Sequence, residues 1–458
     1  MHKLIAWLIL HLVGNRGARG IKISHQLKEY KWLKVAQWNS LEENISYQKK
    51  ELYKFICFSI KHVPYYRELN LTKLDFNEET IFEDIKKFPI LTKEIIRKEK
   101  ERLLPDIDLN DWTFDNVSGG TTGEPVKFCH SGHFFDFEQG SKLLFDEWAG
   151  RKIGDSQIRL WGSERDIVSG KKDWLNKIYR WVRNEEFINT FKMSDRDMEA
   201  YIQRINKKQP KMILAYVQSA RELGYYAKKK NIKIKPVKGI MTSAGTLDKS
   251  LHDELQKIYG GPVLNRYGSR EMGDMACSCN KNEGLHINLF STYIEILDQN
   301  NDSCNPGQKG RIITTLFKDY AMPAIRYDIG DIGSITEKKC SCGRGMPMLQ
   351  SVNGRVIDEF IANNGALVYG DYFTHLFYNC FNIKQFKVVQ DQLEHICVHL
   401  VFYNKEEGME DKRILDYLSC NIKKIMGNEI KIDFLFEDDI PVSSSGKRIY
   451  TQCLISKE

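Results

Sequence analysis

Between residues 112 and 320, short apolar runs alternate with charged stretches of helical periodicity, and this alternation constrains the fold more than any other feature of the chain. The runs include Gln157 to Trp161, Met212 to Val217, Lys238 to Thr242 and Val263 to Arg266, and the amphipathic stretches include Asp195 to Lys207 and Ser219 to Lys230. A short, wholly apolar strand needs cover on both faces, and a helix between successive strands supplies it while carrying the chain back across the sheet. The pattern predicts an α/β fold with a mainly parallel sheet.

The flanking segments have a different texture. From Gln26 to about Arg102 the chain is charged and helix-rich, with apolar residues at helical spacing from Tyr47 to Lys61 and a break at Pro64-Tyr65-Tyr66. After Asn353-Gly354-Arg355, strand candidates at Phe386 to Val389, His395 to Phe402 and Ile430 to Phe436 surround a helical stretch from Asp411 to Met426, the composition of a small α+β domain. The expected division is a large domain over 1–355, helical over about 1–105, and a C-terminal domain over 356–458.

The 68 basic and 61 acidic residues are spread along the chain, so the net charge of +7 forms no basic block of the kind a nucleic acid would need. Eleven cysteines, an odd number, with close pairs among turn-forming residues, predict reduced thiols and a cytoplasmic protein. The apolar run Leu4 to Val13 is too short to span a bilayer. With Lys3 before it and Arg16 and Arg19 after it, two readings stay open: a packed N-terminal helix, or peripheral contact with the inner face of a membrane. A homodimer is compatible with the sequence but nothing in it argues for one.

Five segments carry chemistry. The first is Val117-Ser118-Gly119-Gly120-Thr121-Thr122-Gly123-Glu124-Pro125-Val126. Its glycines free the backbone to turn N–H groups inward and its hydroxyls add donors, a combination suited to polyphosphate oxygens; the Gly-Lys-Ser/Thr ending of a Walker loop is absent. The second is Asn265-Arg266-Tyr267-Gly268-Ser269-Arg270-Glu271-Met272-Gly273, whose carboxylate offers the hard oxygen that Mg²⁺ prefers. The third is Arg326-Tyr327-Asp328-Ile329-Gly330-Asp331, with an Asp able to accept from two ribose hydroxyls. The fourth is Gly354-Arg355 and the fifth Pro441-Val442-Ser443-Ser444-Ser445-Gly446-Lys447.

In this order, over roughly residues 60 to 450, the segments resemble those of the adenylate-forming superfamily of acyl-CoA ligases, aryl ligases and luciferases, and most nearly its phenylacetate–CoA ligase branch and CapK-type proteins of capsular polysaccharide clusters. The resemblance implies a large ATP- and acyl-binding domain with a mobile C-terminal lid. It implies ATP-dependent activation of a small carboxylic acid to an acyl-adenylate with release of pyrophosphate, followed by transfer to coenzyme A or to an amine such as an amino sugar. By the same resemblance Ser118, Gly119, Gly120, Thr121, Thr122 and Gly123 cradle ATP, Glu271 holds Mg²⁺, Tyr267, Gly268, Ser269 and Arg270 flank the nucleotide, Asp331 and Arg355 hold the ribose, and Lys447 assists adenylation. By the same resemblance the acyl pocket is expected around Tyr216, Ser243-Ala244-Gly245-Thr246 and Tyr267, with Trp161 and Phe135 as aromatic neighbours. Two positions depart from the family pattern: Glu124 stands where many relatives carry Lys, and Ile357 where the hinge Asp or Lys usually sits. These two favour an alternative, a zinc-stabilised binding or scaffold protein that has kept the fold and lost turnover.

Cys277, Cys279, His286, Cys340 and Cys342 supply two thiol pairs and an imidazole, one donor more than a closed tetrahedral Zn²⁺ site requires. Free thiols are the competing reading, because Cys-x-Cys is less diagnostic than Cys-x2-Cys. Cys129 beside His130 reads as a strand-edge thiol rather than a nucleophile.

Overall fold

A computed structural model describes residues 16–17, 20–21, 25–69, 76–117, 126–161, 180–181, 183–190, 193–245, 247, 249–353, 359–377, 380, 382–402, 406, 408, 411–440 and 450–455. The run Leu4 to Val13 lies outside them; among the described residues no helix is long and apolar enough to cross a membrane.

The scaffold opens with helices α1 (Gln26–Ala36) and α2 (Leu41–His62). Helix α2 starts earlier than its apolar spacing indicates. Ser40 and Glu43 form a reciprocal cap, the Glu43 amide donating to the Ser40 hydroxyl (3.1 Å) and the Ser40 amide to the Glu43 carboxylate (2.8 Å). It stops at Val63, which Pro64 forces into an extended conformation. Its buried stripe of Leu52, Phe55, Ile56 and Ile60 enters a core shared with Leu91, Phe128, Met275 and Tyr327, so this helix packs on the elements that carry the candidate site.

Next come the hairpin β1 (Thr113–Val117) and β2 (Lys127–Ser131), helix α3 (Gly132–Trp148), and the strand–helix series β3 (Gln157–Trp161), β4 (Glu185–Asn189), α4 (Asp195–Lys208), β5 (Met212–Tyr216), α5 (Val217–Lys229), β6 (Gly239–Ser243), α6 (Lys249–Tyr259) and β7 (Val263–Ser269). Strands β4-β3-β5-β6-β7 pair in parallel, as the alternation predicts. Beyond β7 the sheet changes character. Strands β8 (Gly273–Ser278), β9 (Leu285–Ile287), β10 (Thr292–Leu297), β11 (Gly310–Leu316), β12 (Tyr327–Thr336) and β13 (Met348–Asn353) follow one another without the long helices that parallel crossovers need. They join antiparallel, giving one eleven-stranded sheet in the order β10-β11-β12-β13-β9-β8-β7-β6-β5-β3-β4. The sheet is therefore mixed, parallel in one half only, rather than mainly parallel.

The C-terminal segment forms a hairpin, β14 (Glu359–Ile361) and β15 (Leu367–Tyr369), then α7 (Gly370–Leu376), β16 (Ile383–Gln392), β17 (His395–Phe402), α8 (Lys412–Met426), β18 (Lys431–Phe436) and β19 (Thr451–Cys453). Four of these strands make a sheet in the order β18-β17-β16-β19. Along β17, Ile396, Val398 and Leu400 are fully buried against Leu418 and Ile422 of α8, while His395, Cys397 and His399 face the other way. This core is separate from those of the larger sheet, as an α+β domain requires.

Candidate functional site

The parallel strands end together at Trp161, Tyr216, Ser243 and Ser269, and in an open α/β sheet a ligand crevice forms beyond such carboxyl ends. Ser243, the last residue of β6, pairs with Arg266 of β7 and donates from its hydroxyl to the Arg266 carbonyl (3.1 Å). Ala244 follows in the left-handed region, φ 55°, so the chain turns sharply there and Gly245 comes immediately after.

Tyr267, Gly268 and Ser269 close β7, and Arg270 to Met272 make the turn into β8. Gly268 faces Asp274 in the ladder, beside a bulge between Asp274 and Ala276. A Cβ on Gly268 would sit 2.4 Å from the Gly273 carbonyl oxygen, so any larger residue would push the hairpin apart. The Ser269 hydroxyl accepts from the Met272 amide (3.1 Å), tightening the turn that holds Glu271, which is buried. Asn116, near the end of β1, donates to the Arg270 carbonyl (2.7 Å). Val117 follows it and pairs with Lys127, so the strands that root the glycine-rich loop stand beside the Glu271 turn.

Asp331 lies in the middle of β12, four inter-strand steps from β7. A flat sheet would hold the two strands about 19 Å apart. The Tyr267 hydroxyl nonetheless donates to the Asp331 carboxylate at 2.9 Å, so the antiparallel half of the sheet curls strongly and brings the second and third motifs together. Arg326, which opens the third motif, faces away from this meeting point. It is buried, donates to both Glu295 carboxylate oxygens (3.1 and 3.0 Å) and caps the carbonyls of Lys86 and Phe88.

Of the proposed acyl-pocket residues, Trp161 and Tyr216 pack ring on ring with centroids 4.1 Å apart, and the Arg159 guanidinium lies over Trp161. Phe135 does not join them; it packs on Trp112 and Phe114 at the β1–β2 hairpin. Ser118, Gly119, Gly120, Thr121, Thr122, Gly123, Glu124, Thr246, Arg355, Ile357 and Lys447 lie outside the described residues.

A buried pair beside β2 leaves no mark in the local sequence. His130 Nδ1 lies 2.5 Å from Asp319 Oδ2, and the other Asp319 oxygen accepts from the amide of Ser131 (3.0 Å), the residue whose hydroxyl caps α3. Burial opposes a charge on His130, but Asp319 overcomes it and raises the imidazole above its ordinary value. Such a group stabilises the fold fully below its unfolded value of about 6.5 and loses this contribution as pH climbs through the raised folded value. Replacing Asp319 by Asn is expected to lower the melting temperature at pH 6 by more than at pH 9, read by calorimetry across that range; an equal loss at both would rule out the charged pair.

Cys279, His286, Cys340 and Cys342 bring one donor atom each to within 4.8 Å of one another, from the end of β8, from β9 and from the loop after β12. Cys277 stands apart; its thiol lies 3.7 Å from the Met241 sulfur and donates to the Ser278 carbonyl. The edges fit a tetrahedral thiolate site. Zinc bond lengths imply S···S near 3.8 Å and S···N near 3.6 Å, and Cys279–Cys340 measures 3.6 Å and Cys342–His286 3.4 Å. Burial, aided by Arg344, holds His286 down to about 4, so the imidazole is neutral with a lone pair to give. Burial raises the Cys342 thiol, but hydrogen bonds from Arg344 more than offset it and leave the thiol below its usual range. The scaffold pins the loop: the Asn44 amide donates to the Gly345 carbonyl (2.7 Å) and the Gly345 amide to the Gln37 carbonyl (3.0 Å).

Comparisons with known proteins agree with this architecture. Residues 360–452 match the family model of the CapK C-terminal domain. The chain is 23% identical to protein CapK of Staphylococcus aureus over 439 residues, covering 93% of this chain and 91% of that protein. It is 21% identical to phenylacetate-coenzyme A ligase of Thermus thermophilus over 411 residues, covering 88% and 87%. Among solved structures, 2-hydroxyisobutyryl-CoA ligase with 2-HIB-AMP and CoA in the thioesterification state superposes with a TM-score of 0.60 at 16% identity, covering 92% of this chain and 91% of that one. The same ligase in the postadenylation state gives 0.55 at 15% identity, covering 91% of each. The chain is a homologue of CapK and of phenylacetate-coenzyme A ligase, with a CapK C-terminal domain and the fold of the adenylate-forming CoA ligases.

Proposed function

We propose that the protein activates a small carboxylic acid with ATP and passes the acyl group to coenzyme A or to an amine, such as an amino sugar in surface-polysaccharide synthesis. The observation that carries this reading is the Tyr267–Asp331 hydrogen bond, which unites two motifs at the carboxyl ends of the parallel strands beside the Glu271 turn. A carboxylate oxygen of the acid attacks the α-phosphorus; the new O–P bond forms as the bridge to the β-phosphate breaks, and pyrophosphate leaves. Glu271 offers Mg²⁺ one hard oxygen, and the metal supplies charge neutralisation on the phosphates. Asp331 accepts from the ribose hydroxyls, and the Ser118 to Gly123 loop, rooted between β1 and β2, receives the phosphates. Ala244 and Gly245 leave space for the carboxylate, and the closely packed, mutually tilted rings of Trp161 and Tyr216 favour a flat or apolar acid.

Lys447, on a C-terminal domain taken to begin near residue 356, supplies its ammonium to the transferring phosphoryl group. That domain then turns about the region of Arg355 and admits the acceptor. Zn²⁺ on Cys279, His286, Cys340 and Cys342 has a structural role, since four protein donors leave no open position for chemistry. It joins the segment after Glu271 to the segment after Asp331.

Pyrophosphate exchange into ATP, run over aryl, fatty and amino acids, tests the reading. Exchange that depends on one class of acid supports it. Silence across the panel, with zinc bound and the fold intact, would point instead to a binding protein of the same fold.

A further inference from the structure

We infer that the outer face of α1 docks the protein on an anionic lipid surface. The helix exposes Lys28, Lys31, Trp32, Lys34 and Val35, and the turn after it exposes Trp38; no acidic side chain is among them. At 100° per residue these positions fall on one arc, with Val35 near its centre, Lys28 and Lys31 on either side, and the two tryptophans toward the edges. Val35 is 69% exposed, Trp38 53% and Trp32 37%, so three of the ten exposed large apolar side chains on the described surface fall within seven positions of sequence. Isolated exposed apolar residues need no explanation, but an apolar centre ringed by lysines and tryptophans does.

The face is also rigid. Trp32 packs its inner edge on Tyr47 and Phe290, with centroids 5.0 and 5.3 Å away. Trp38 is held under the Arg344 guanidinium (4.7 Å), which is itself fixed by the Gln37 side chain (2.8 Å). Of the neighbouring charged groups, Lys34 pairs with Glu147 at 2.9 Å, Glu29 is only partly exposed, Arg344 lies over Trp38, and Glu42 and Glu43 open the next helix; the positive charge of the arc itself comes from Lys28 and Lys31.

A cavity lined by Lys34, Trp38, Glu147 and Arg344 opens at one edge of the face, but Lys28, Lys31, Trp32 and Val35 lie on the convex side of the helix, a shape to which a bilayer yields. Tryptophan settles at the headgroup level, valine enters the acyl boundary, and lysines reach to lipid phosphates.

The test is co-sedimentation of the full chain with vesicles of mixed phosphatidylglycerol and phosphatidylcholine, against phosphatidylcholine alone. Binding at least tenfold tighter to the anionic vesicles is expected, with release at about 1 M salt, where the Debye length shrinks to about 3 Å. The double variant Lys28→Gln, Lys31→Gln is expected to lose about thirtyfold in partitioning. Val35→Glu is expected to weaken binding by a similar factor. Circular dichroism and melting temperature of both variants are expected to match the wild type, because the changed side chains face solvent. Failure to bind anionic vesicles, equal binding to neutral ones, or variants that bind as the wild type does would each overturn the proposal. So would a Val35→Glu change that merely splits a dimer, which would identify a second copy of the chain as the occupant.

Discussion

The wild-type chain is expected to carry one equivalent of zinc, and serine in place of Cys340 is expected to lose it and to lower the apparent melting temperature by about 10 °C or more. Metal binding to a closed site contributes its free energy to folding, on the order of 10 kcal/mol in small zinc domains at neutral pH, and even a fraction of this is large against the marginal stability of a fold. Without the metal, the loop Cys340 to Met346 keeps the bonds of Ser341 to Glu283, Arg344 to Gln37 and Gly345 to Gln37 and Asn44, but loses its link through Cys279 and His286 to β8 and β9. The control is Cys277→Ser, expected to keep its zinc because that thiol points at Met241 and away from the cluster. Metal release with a mercurial reagent and a chromogenic chelator reads both variants. Zinc retained by Cys340→Ser and lost by Cys277→Ser would reverse the assignment.

The second large effect concerns Lys447. Its replacement by Ala is expected to cut pyrophosphate exchange by about a hundredfold to a thousandfold, the usual loss when one preorganised electrostatic contact to a transition state is removed. The same variant, supplied with synthetic acyl-adenylate, is expected to complete the transfer step at close to the wild-type rate. In the proposed mechanism adenylation is the step that develops charge on the phosphoryl group, and a turned lid would carry Lys447 away before transfer. Equal damage to both steps would show a general loss of fold or of acid binding.

Much of the fold was legible because burial on two faces and helical periodicity leave marks in a single sequence. Gln157 to Trp161 and Met212 to Val217 became β3 and β5 within a residue, and Asp411 to Met426 became α8. The antiparallel half of the large sheet was harder to read, because strands such as Leu285–Ile287 are short and their partners are set by hairpins and bulges rather than by crossover helices.

The site shows the same division. Tyr267 and Asp331 were each singled out through the family resemblance, but their contact depends on a curl of the sheet that spans four strand pairings. The spare cysteine could not be told from the Cys-x-Cys spacing. Cys277 lies inside β8 and Cys279 just beyond its end, where the chain leaves the strand geometry that would have put both thiols on one face. In sequence His130 stands out only beside Cys129. Its partner Asp319 lies 189 residues away, a distance no local pattern reports.

The most direct measurement of the central claim is the fate of oxygen. With substrate acid labelled in its carboxylate by ¹⁸O, and with acceptor present to complete turnover, the account predicts one labelled oxygen in the phosphate of AMP, because the attacking carboxylate oxygen stays on the α-phosphorus when the acyl group departs. Label in inorganic phosphate with ADP as the other product, or AMP formed without label, would contradict an acyl-adenylate.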